Sequence, residues 1–519
     1  MEIKKAFLVI QFLMIMVSCG LAAGKKPINV VVIYTDDHRY SGIHALGGQE
    51  VQTPHMDRLC ESGIVFNNAF LQGAFSGATC IPSRAMLHTG RNLFQLHKQG
   101  HFIPAQHTTM GEAFQQAGYH TEMIGKWHQD KSSLARSFDH GGPVMSLGGY
   151  LVDHYRMPLW DWRTDGKWTL EEGYLLKYDQ DGAAKRIPFD KKNMKRGPIA
   201  DEHEGPHTSE IFADAAVEFL SGYSQKDPLF MYLAFHAPHD PRQAPEAYKA
   251  MYPEKEMVLP PSYAAQHPFD NGHMFLRDEQ LAPWPRTPEV SQKQLSDYYA
   301  IITHLDTQIG KVIAALKASG MYDNTLIVLA GDSGLAVGNH GLMGKQNIYD
   351  EDGIHVPLVF SGGAVLGKSG TQDAFCYIHD IFPTLCDFAQ IAPPESVMGK
   401  SLLPVIEGKE SGRDYTYHAY KQYQRAYRKG KYKLIEYVRA PDVKKNGKRE
   451  IRGSRVTQLF DVEADPWETL NLAMFPDYQS QIDQMQRQMQ EAAKSEGDQT
   501  VSTGEAIDFW DYFIPNSNL

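Results

Sequence analysis

Ile28-Asn29-Val30-Val31-Val32-Ile33-Tyr34-Thr35-Asp36-Asp37 is the stretch whose reading decides the fold. Its apolar residues are β-branched or aromatic and do not alternate with polar ones, so both faces of the predicted strand must be covered. The run then breaks into two adjacent carboxylates. Four more runs read the same way: His120 to Ile124, Leu229 to Phe235, Thr325 to Ala330 and Val356 to Phe360. We read all five as buried parallel strands.

Helical patterns lie between them. Thr53-Pro54 places an N-cap before a proline at the first helical position and opens a segment with Met56, Leu59 and Cys60 on one face. Thr109 to Gly118 is similar, with Gly118 as its stop. Ser291 to Ser319 is the longest, with Leu295, Ile302, Leu305, Ile309, Val312 and Leu316 at helical spacing. This alternation predicts an α/β sheet covered on both faces. The Trp-, Tyr- and Gly-rich stretch from Gly141 to Gly205 breaks the rhythm and reads as an insertion over one face of the sheet. A second, Pro-rich insertion runs from Pro238 to Thr287. Past Ser401, short antiparallel strands at Tyr415 to Tyr420, Ala426 to Tyr427, Tyr432 to Tyr437 and Val456 to Asp461 precede a terminal helix, Tyr478 to Ala493. The chain therefore divides into a larger α/β domain over 27–399 and a C-terminal α+β subdomain over 400–519.

Composition bounds the function. The 519 residues are 42% hydrophobic and carry a formal net charge of -11, which weighs against a nucleic-acid partner. Residues 1–24 read as an export signal: Lys4 and Lys5 precede an apolar run, Ala6 to Val17, too short for a spanning helix. Two processing routes fit it, a lipobox at Met16-Val17-Ser18-Cys19 with a lipid anchor on Cys19, or ordinary cleavage near Gly20 to Ala23. Of the other cysteines, Cys60, Cys376 and Cys386 are an odd number and no disulfide framework.

Ligands of open α/β sheets bind beyond the carboxyl ends of the strands. Four of the predicted strands end in residues that chemistry uses: Asp36-Asp37-His38, Gly125-Lys126-Trp127-His128, His236-Ala237-Pro238-His239, and Gly331-Asp332-Ser333-Gly334 followed by His340 to Lys345. Between the first and second lies Cys80-Ile81-Pro82-Ser83-Arg84, followed by Leu87-x-Thr89-Gly90-Arg91.

Cys-x-Pro-x-Arg with Leu-x-Thr-Gly-Arg resembles the signature of type I sulfatases, and the order of the strand-end blocks is also that family's. The resemblance runs over roughly Pro27 to Gly399, and more loosely through Leu459-Phe460-Asp461 and Asp465-Pro466-x-Glu468. It implies the fold of the alkaline-phosphatase superfamily, a large mixed, mostly parallel sheet sandwiched by helices. It also implies that a formylglycine-generating enzyme oxidises Cys80 to formylglycine, whose hydrate attacks sulfate with one hydroxyl. The second hydroxyl then expels the sulfate, a release that a serine sulfate ester lacks. The resemblance puts Asp36, Asp37, Asp332 and an oxygen at position 80 on one divalent cation. Such hard oxygen donors suit Ca²⁺ better than Mg²⁺. Relatives carry Asn, Gln or His after the third aspartate, where this chain has Ser333, with Asn339 or His340 as alternative donors.

By the same resemblance Arg84 braces position 80, Lys126 and Lys345 bind sulfate oxygens, His128 is the base of the elimination step, and His236 protonates the leaving alkoxide. His38, His239 and His340 read as structural residues or substrate contacts, and Trp160, Trp162 and Trp168 as packing. The implied enzyme is an exported sulfatase of the periplasm or bacterial cell surface, acting on a sulfated carbohydrate such as a glycosaminoglycan fragment with hexuronate-linked sulfate. Arg242, Arg277, Arg286 or the basic segment Lys185 to Arg196 is then available to grip a uronate or second sulfate. Two rivals stand beside this reading: a phosphodiester or phosphonate-monoester hydrolase with the same nucleophile, and an inactive carbohydrate-binding surface lipoprotein.

Overall fold

The computed structural model describes residues 26–147, 153–190, 199–224, 226–439, 442–443, 450–451, 454–498 and 509–512. The export segment with Cys19, and residues 191–196 of the basic segment, lie outside these described residues. The strands are β1 (Asn29–Thr35), β2 (Ile64–Phe70), β3 (Gly73–Ala74), β4 (His120–Lys126), β5 (His140–Met145), β6 (Leu159–Trp160), β7 (Tyr174–Tyr178), β8 (Ala184–Pro188) and β9 (Leu229–Ala234). They continue with β10 (Thr325–Gly331), β11 (Leu358–Ser361), β12 (Gly370–Tyr377), β13 (Thr416–Tyr420), β14 (Gln424–Lys429), β15 (Tyr432–Arg439), β16 (Asp442–Val443), β17 (Glu450–Ile451) and β18 (Ser454–Asp461). One sheet of eleven runs in the order β12-β2-β11-β10-β1-β9-β4-β5-β6-β7-β8, and a second of five in the order β18-β15-β14-β13-β3.

At the centre of the large sheet, β10, β1, β9, β4 and β5 are parallel. β1 is buried along its whole length, as its unbroken apolar run requires. Val30, Val32 and Tyr34 enter one core, shared with the Cys80–Thr89 helix; Val31 and Ile33 enter the opposite core under the long helix Pro288–Ala318. The predicted helices form, but Thr53 makes no side-chain cap bond to the Pro54–Ser62 helix, whose first amides go to Asp306 instead. Thr109 and Glu112 make a capping box, and Gly118 adopts φ +83°. Thr287 caps the long helix through the amide of Val290.

Two expectations are corrected. The fifth run does not pair in parallel: β11 is antiparallel to both β10 and β2. Between Gly331 and Leu358 no crossover carries the chain back to the far end of the sheet, so the next strand starts at the carboxyl edge and runs the other way. The insertion after Gly141 does not lie over a face. It widens the sheet through β5 and the antiparallel strands β6, β7 and β8. Trp160 and Trp168 are buried there, and the indole N–H groups of Trp160, Trp162 and Trp168 donate to backbone carbonyls, which makes them packing residues.

The C-terminal strands and helix appear where predicted, with the terminal helix over Gln479–Glu496. The smaller sheet also borrows β3, which pairs parallel with β13 just before the Cys80 loop. Gly73 makes this approach feasible, because its φ is +126° and a Cβ there would come within 1.9 Å of the Ala419 carbonyl oxygen. The subdomain is thus hydrogen-bonded to the segment that leads into Cys80. Cys60, Cys80, Cys376 and Cys386 are all buried free thiols. Among the described residues no helix is long and apolar enough to cross a membrane.

Candidate active site

The register of the central strands sets their carboxyl ends side by side: Thr35 opposite Gly331, Tyr34 opposite Ala234, and Gly125 opposite Ala234. Asp36, Asp37, Asp332, Lys126, His128, His236 and His239 therefore leave the sheet at one edge, all buried or nearly so. Cys80 arrives from outside the sheet as the first residue of its helix, beside the partial positive charge of the helix N-terminus. Asp37 and His128 hold left-handed backbone, φ +62° and +68°. For Asp37 the conformation is secured on both sides: its amide donates to Asp332 Oδ1 at 2.9 Å and its carbonyl accepts from the Tyr298 hydroxyl at 2.8 Å.

Three carboxylates meet here, and charge is supplied to match. Lys126 Nζ pairs with Asp36 Oδ2, and Lys345 Nζ with Asp37 Oδ1. Arg84 lies between Asp332 (3.2 Å) and Asp36 (3.7 Å), and also donates to the Lys126 carbonyl and the Tyr232 hydroxyl. It braces the carboxylates and β4 rather than position 80 itself. Burial pushes Asp36 up, but Lys126, His239 and Arg84 outweigh it and hold this carboxyl well below its ordinary value. Burial carries Asp37 up to about 6 against the pull of Lys345, and burial with the charge of Asp36 drives Asp332 well above the usual range.

These residues fit a divalent cation. Asp36 Oδ1 is buried with no hydrogen-bond partner. Asp36, Asp332 and position 80 offer donor atoms within 4.8 Å of one another, as do Asp36, Asp37 and His239. The crowding that raises Asp332 is what a cation relieves. Ser333 Oγ donates to Asp37 Oδ1 at 3.2 Å and to Asp332 Oδ1 at 3.4 Å, so its hydroxyl faces the cluster. Asn339 and His340 do not replace it. Asn339 is engaged with Arg39, Val337 and Ser262, while His340 pairs with Asp352 and stacks on Tyr349. His38 is held by Thr35 and the Gly42 carbonyl and is structural.

Cys80 Sγ lies 3.3 Å from His128 Nδ1 and 3.9 Å from Lys126 Nζ. Burial raises its thiol to about 12 despite both lysines, so thiolate is scarce at neutral pH. As a cysteine, this residue is poorly suited to attack.

The two histidines after β9, of which His236 was expected to protonate the leaving alkoxide, differ in what holds them. His236 is fully buried and its Nδ1 sits 3.1 Å from Asp36 Oδ2, so it supports a carboxylate. His239, 5% exposed, fixes Nδ1 on the Asp240 carbonyl at 2.8 Å and turns Nε2 toward Asp37 Oδ2 at 3.7 Å. Hydropathy and spacing do not separate the two, and the Nδ1 partner of His239 is a backbone carbonyl that any residue at 240 would supply.

The expected substrate cations also divide. Arg277 is 39% exposed and bridges Asp240 and Asp278, beside the loop of Lys345 and Gln346. Arg242 is buried against Gln294, the Met343 carbonyl and the Tyr298 ring. Arg286 is fully buried on Glu279 and does not face substrate. Arg186, from the basic segment, pairs with Asp161 at the sheet edge.

A parallel sheet whose carboxyl edge gathers three aspartates, two lysines and a buried helix-start residue defines a hydrolase of anionic esters with an alkaline-phosphatase-like fold. The sequence profile described as Sulfatase matches residues 28–391, and a second, described as N-sulphoglucosamine sulphohydrolase, C-terminal, matches 338–495. The chain belongs to the sulfatase family and is a sulfuric ester hydrolase. It is similar to an N-acetylglucosamine-6-O-sulfatase of Bacteroides thetaiotaomicron, 28% identical over 93% of this chain and 89% of the relative. Among solved structures it resembles a protein in complex with its substrate D-glucosamine-2-N,6-O-disulfate, with TM-score 0.69, 23% identity, and coverage of 93% of this chain and 100% of that one. It also resembles a phosphonate monoester hydrolase of Agrobacterium radiobacter, with TM-score 0.66, 21% identity, and coverage of 92% and 96%.

Proposed function

We propose that this chain is an exported sulfatase that removes sulfate from a sulfated carbohydrate, with Cys80 converted to formylglycine and one Ca²⁺ held by Asp36, Asp37 and Asp332. The observation that carries it is position 80, set at a helix start between Lys126 and His128 and within ligand reach of Asp36 and Asp332. In place, the formylglycine hydrate supplies the nucleophile and the cation supplies charge to the sulfate oxygens.

The chain's own residues do the rest. Lys126 and Lys345, both buried, present fixed positive charge where sulfate oxygens gather, and burial makes such charge act strongly. Ring nitrogen Nδ1 of His128, next to position 80, holds the proton exchanged there when sulfate is expelled. His239 already donates Nδ1–H to the Asp240 carbonyl, so a proton carried at Nε2 is the one available to the leaving oxygen. Burial, then Lys345, pushes its ionisation down, while the Asp36 carboxylate favours the charged ring that carries that proton. Arg277, on the exposed rim, is the cation that meets the sugar.

The names of the similar proteins support a glucosamine sulfate over the hexuronate linkage expected from sequence. The apolar N-terminal run after Lys4-Lys5 supports export to the periplasm or cell surface. A sulfate-release screen over glucosamine 6-O-sulfate, glucosamine N-sulfate, hexuronate 2-O-sulfate and a phosphonate monoester tests the reading. We expect release from a glucosamine sulfate; faster turnover of the phosphonate would make the chain a phosphonate hydrolase instead.

A further inference from the structure

His239 owes its place to its backbone as much as to its ring. Its amide donates to the His236 carbonyl at 3.0 Å, and its own carbonyl accepts from His154 Nε2 at 2.9 Å. His154 comes from the insertion between β5 and β6, far from the site in sequence, and is fully buried. Its other ring nitrogen, Nδ1, is 2.7 Å from the Thr208 hydroxyl, and its amide donates to Gln243 Oε1 at 2.7 Å. Because a carbonyl can only accept, the proton of the neutral ring sits on Nε2, and Nδ1 accepts from Thr208.

The ring is also held by its faces. His154 stacks on His207 with centroids 4.5 Å apart and on His236 at 4.8 Å. His207 accepts the Ser209 amide at Nδ1 and directs Nε2 to the Gln243 carbonyl at 3.1 Å. The loop that carries both site histidines is therefore clamped at His239 and Gln243 by two stacked imidazoles from outside the sheet's carboxyl edge. Every ring nitrogen of this pair is committed to a loop, hydroxyl or amide partner, so the pair holds the loop and conducts no proton.

We propose that His154 is a positioning residue for His239: its Nε2–H bond to the His239 carbonyl keeps the His239 ring aimed at the leaving oxygen. This rests on the role of His239 as proton donor stated above. A proton donor matters in proportion to how badly the leaving group needs the proton. A sugar alkoxide needs it, whereas 4-nitrophenolate leaves without it. Loss of the clamp should thus be felt on one substrate and not on the other, which loss of packing alone does not produce.

The test uses the mature full-length enzyme with 4-nitrophenyl sulfate and a sugar sulfate that it hydrolyses. His154→Asn places an amide near the Nδ1 position and leaves the His239 carbonyl unbonded; His154→Gln places an amide N–H near Nε2 and keeps the bond. We expect His154→Asn to lower kcat on the sugar sulfate by roughly 10–100-fold, less than the roughly 10²–10⁴-fold of a whole general acid because the donor is misaimed rather than removed, with KM and 4-nitrophenyl sulfate turnover nearly unchanged, and His154→Gln to restore most of it. Equal losses on both substrates, or a Gln variant no better than Asn, overturn the proposal. His239→Ala is run beside them. If it discriminates between the substrates and His154→Asn does not, the positioning role alone falls; if His239→Ala itself does not discriminate, the proton-donor reading falls and takes this inference with it. Should His154→Asn fail to fold, Thr208→Val, which removes only the hydroxyl on Nδ1, decides the matter. A selective loss on the sugar sulfate supports the clamp, and unchanged kinetics overturn it.

Discussion

Arg84 Nη2 lies 3.2 Å from Asp332 Oδ2, with neither side chain exposed to solvent. The same guanidinium approaches Asp36, so one fixed cation separates two of the three site carboxylates. Breaking a buried pair strands a charge, at a cost of about 3–5 kcal/mol. Arg84→Ala is therefore expected to lose stability of about that size, read from chemical denaturation, together with activity. An unchanged unfolding midpoint would show that the pair carries no structural load.

Cys80 is buried but small, and its thiol is held protonated by burial. Cys80→Ala is expected to abolish sulfate release while changing the unfolding midpoint little. Peptide mass spectrometry of active protein is expected to find an aldehyde at position 80. Full activity in a sample that is cysteine throughout would show that the nucleophile lies elsewhere.

Ser333 contributes its hydroxyl to Asp37 and Asp332. Ser333→Asn is expected to bring an amide oxygen to the cation, so that half-maximal activity is reached at lower free Ca²⁺. Asp332→Ala is expected to lose bound metal and turnover together. The measurement is activity against buffered Ca²⁺ after chelation. If Ser333→Asn leaves that curve unmoved, the remaining donor comes from another group.

Asp306 lies far from this chemistry and gives a pH signature of its own. Its carboxylate accepts the amides of His55 (3.1 Å) and Met56 (2.7 Å) at the first turn of the Pro54–Ser62 helix. Burial, with Asp57 adding to it, carries the group up to about 7 against those bonds and Arg58. The native state then holds this proton more tightly than the unfolded chain, where an aspartic acid titrates near about 3.9. The contribution to stability is fully present below about pH 4 and is lost as pH rises through about 7. Asp306→Asn cannot ionise, so it is expected to melt above the wild type at about pH 8, with the gap closing toward about pH 4. Thermal melts at the two pH values decide; a wild type that gains on the variant as pH rises would show that the helix N-terminus keeps the carboxylate charged.

Much of this was legible along the chain. The unbroken apolar run of β1 announced a strand covered on both faces, and the carboxylates after it announced the site edge. What the runs did not encode was direction. Val356 to Phe360 looks like its parallel neighbours, yet β11 runs antiparallel because the segment before it stays at the carboxyl edge. Strand β2 escaped the reading because Asn67 and Asn68 interrupt its apolar character, although it lies within the large sheet beside β11. Glycine-rich β5 was read as the start of a covering insertion for the same reason: its glycines hide a strand that packs closely against Trp162 and β4.

The sequence by itself determined the strand and helix classes, the order of the strand-end residues and the Cys80 motif, because these depend on local periodicity and on residues adjacent in the chain. Only the tertiary structure decided that His236 is held by Asp36 and His239 by the Asp240 carbonyl, that Arg286 and Arg242 are buried while Arg277 is not, and that Ser333 points into the cluster. Three of those outcomes hang on a partner remote in sequence, Asp36 for His236, Gln294 for Arg242 and Asp37 for Ser333, while Arg286 folds back onto the nearby 279–282 turn. Side-chain orientation is set by whichever hydrogen-bond partner the fold brings within about 3 Å, and local composition carries no record of that distance.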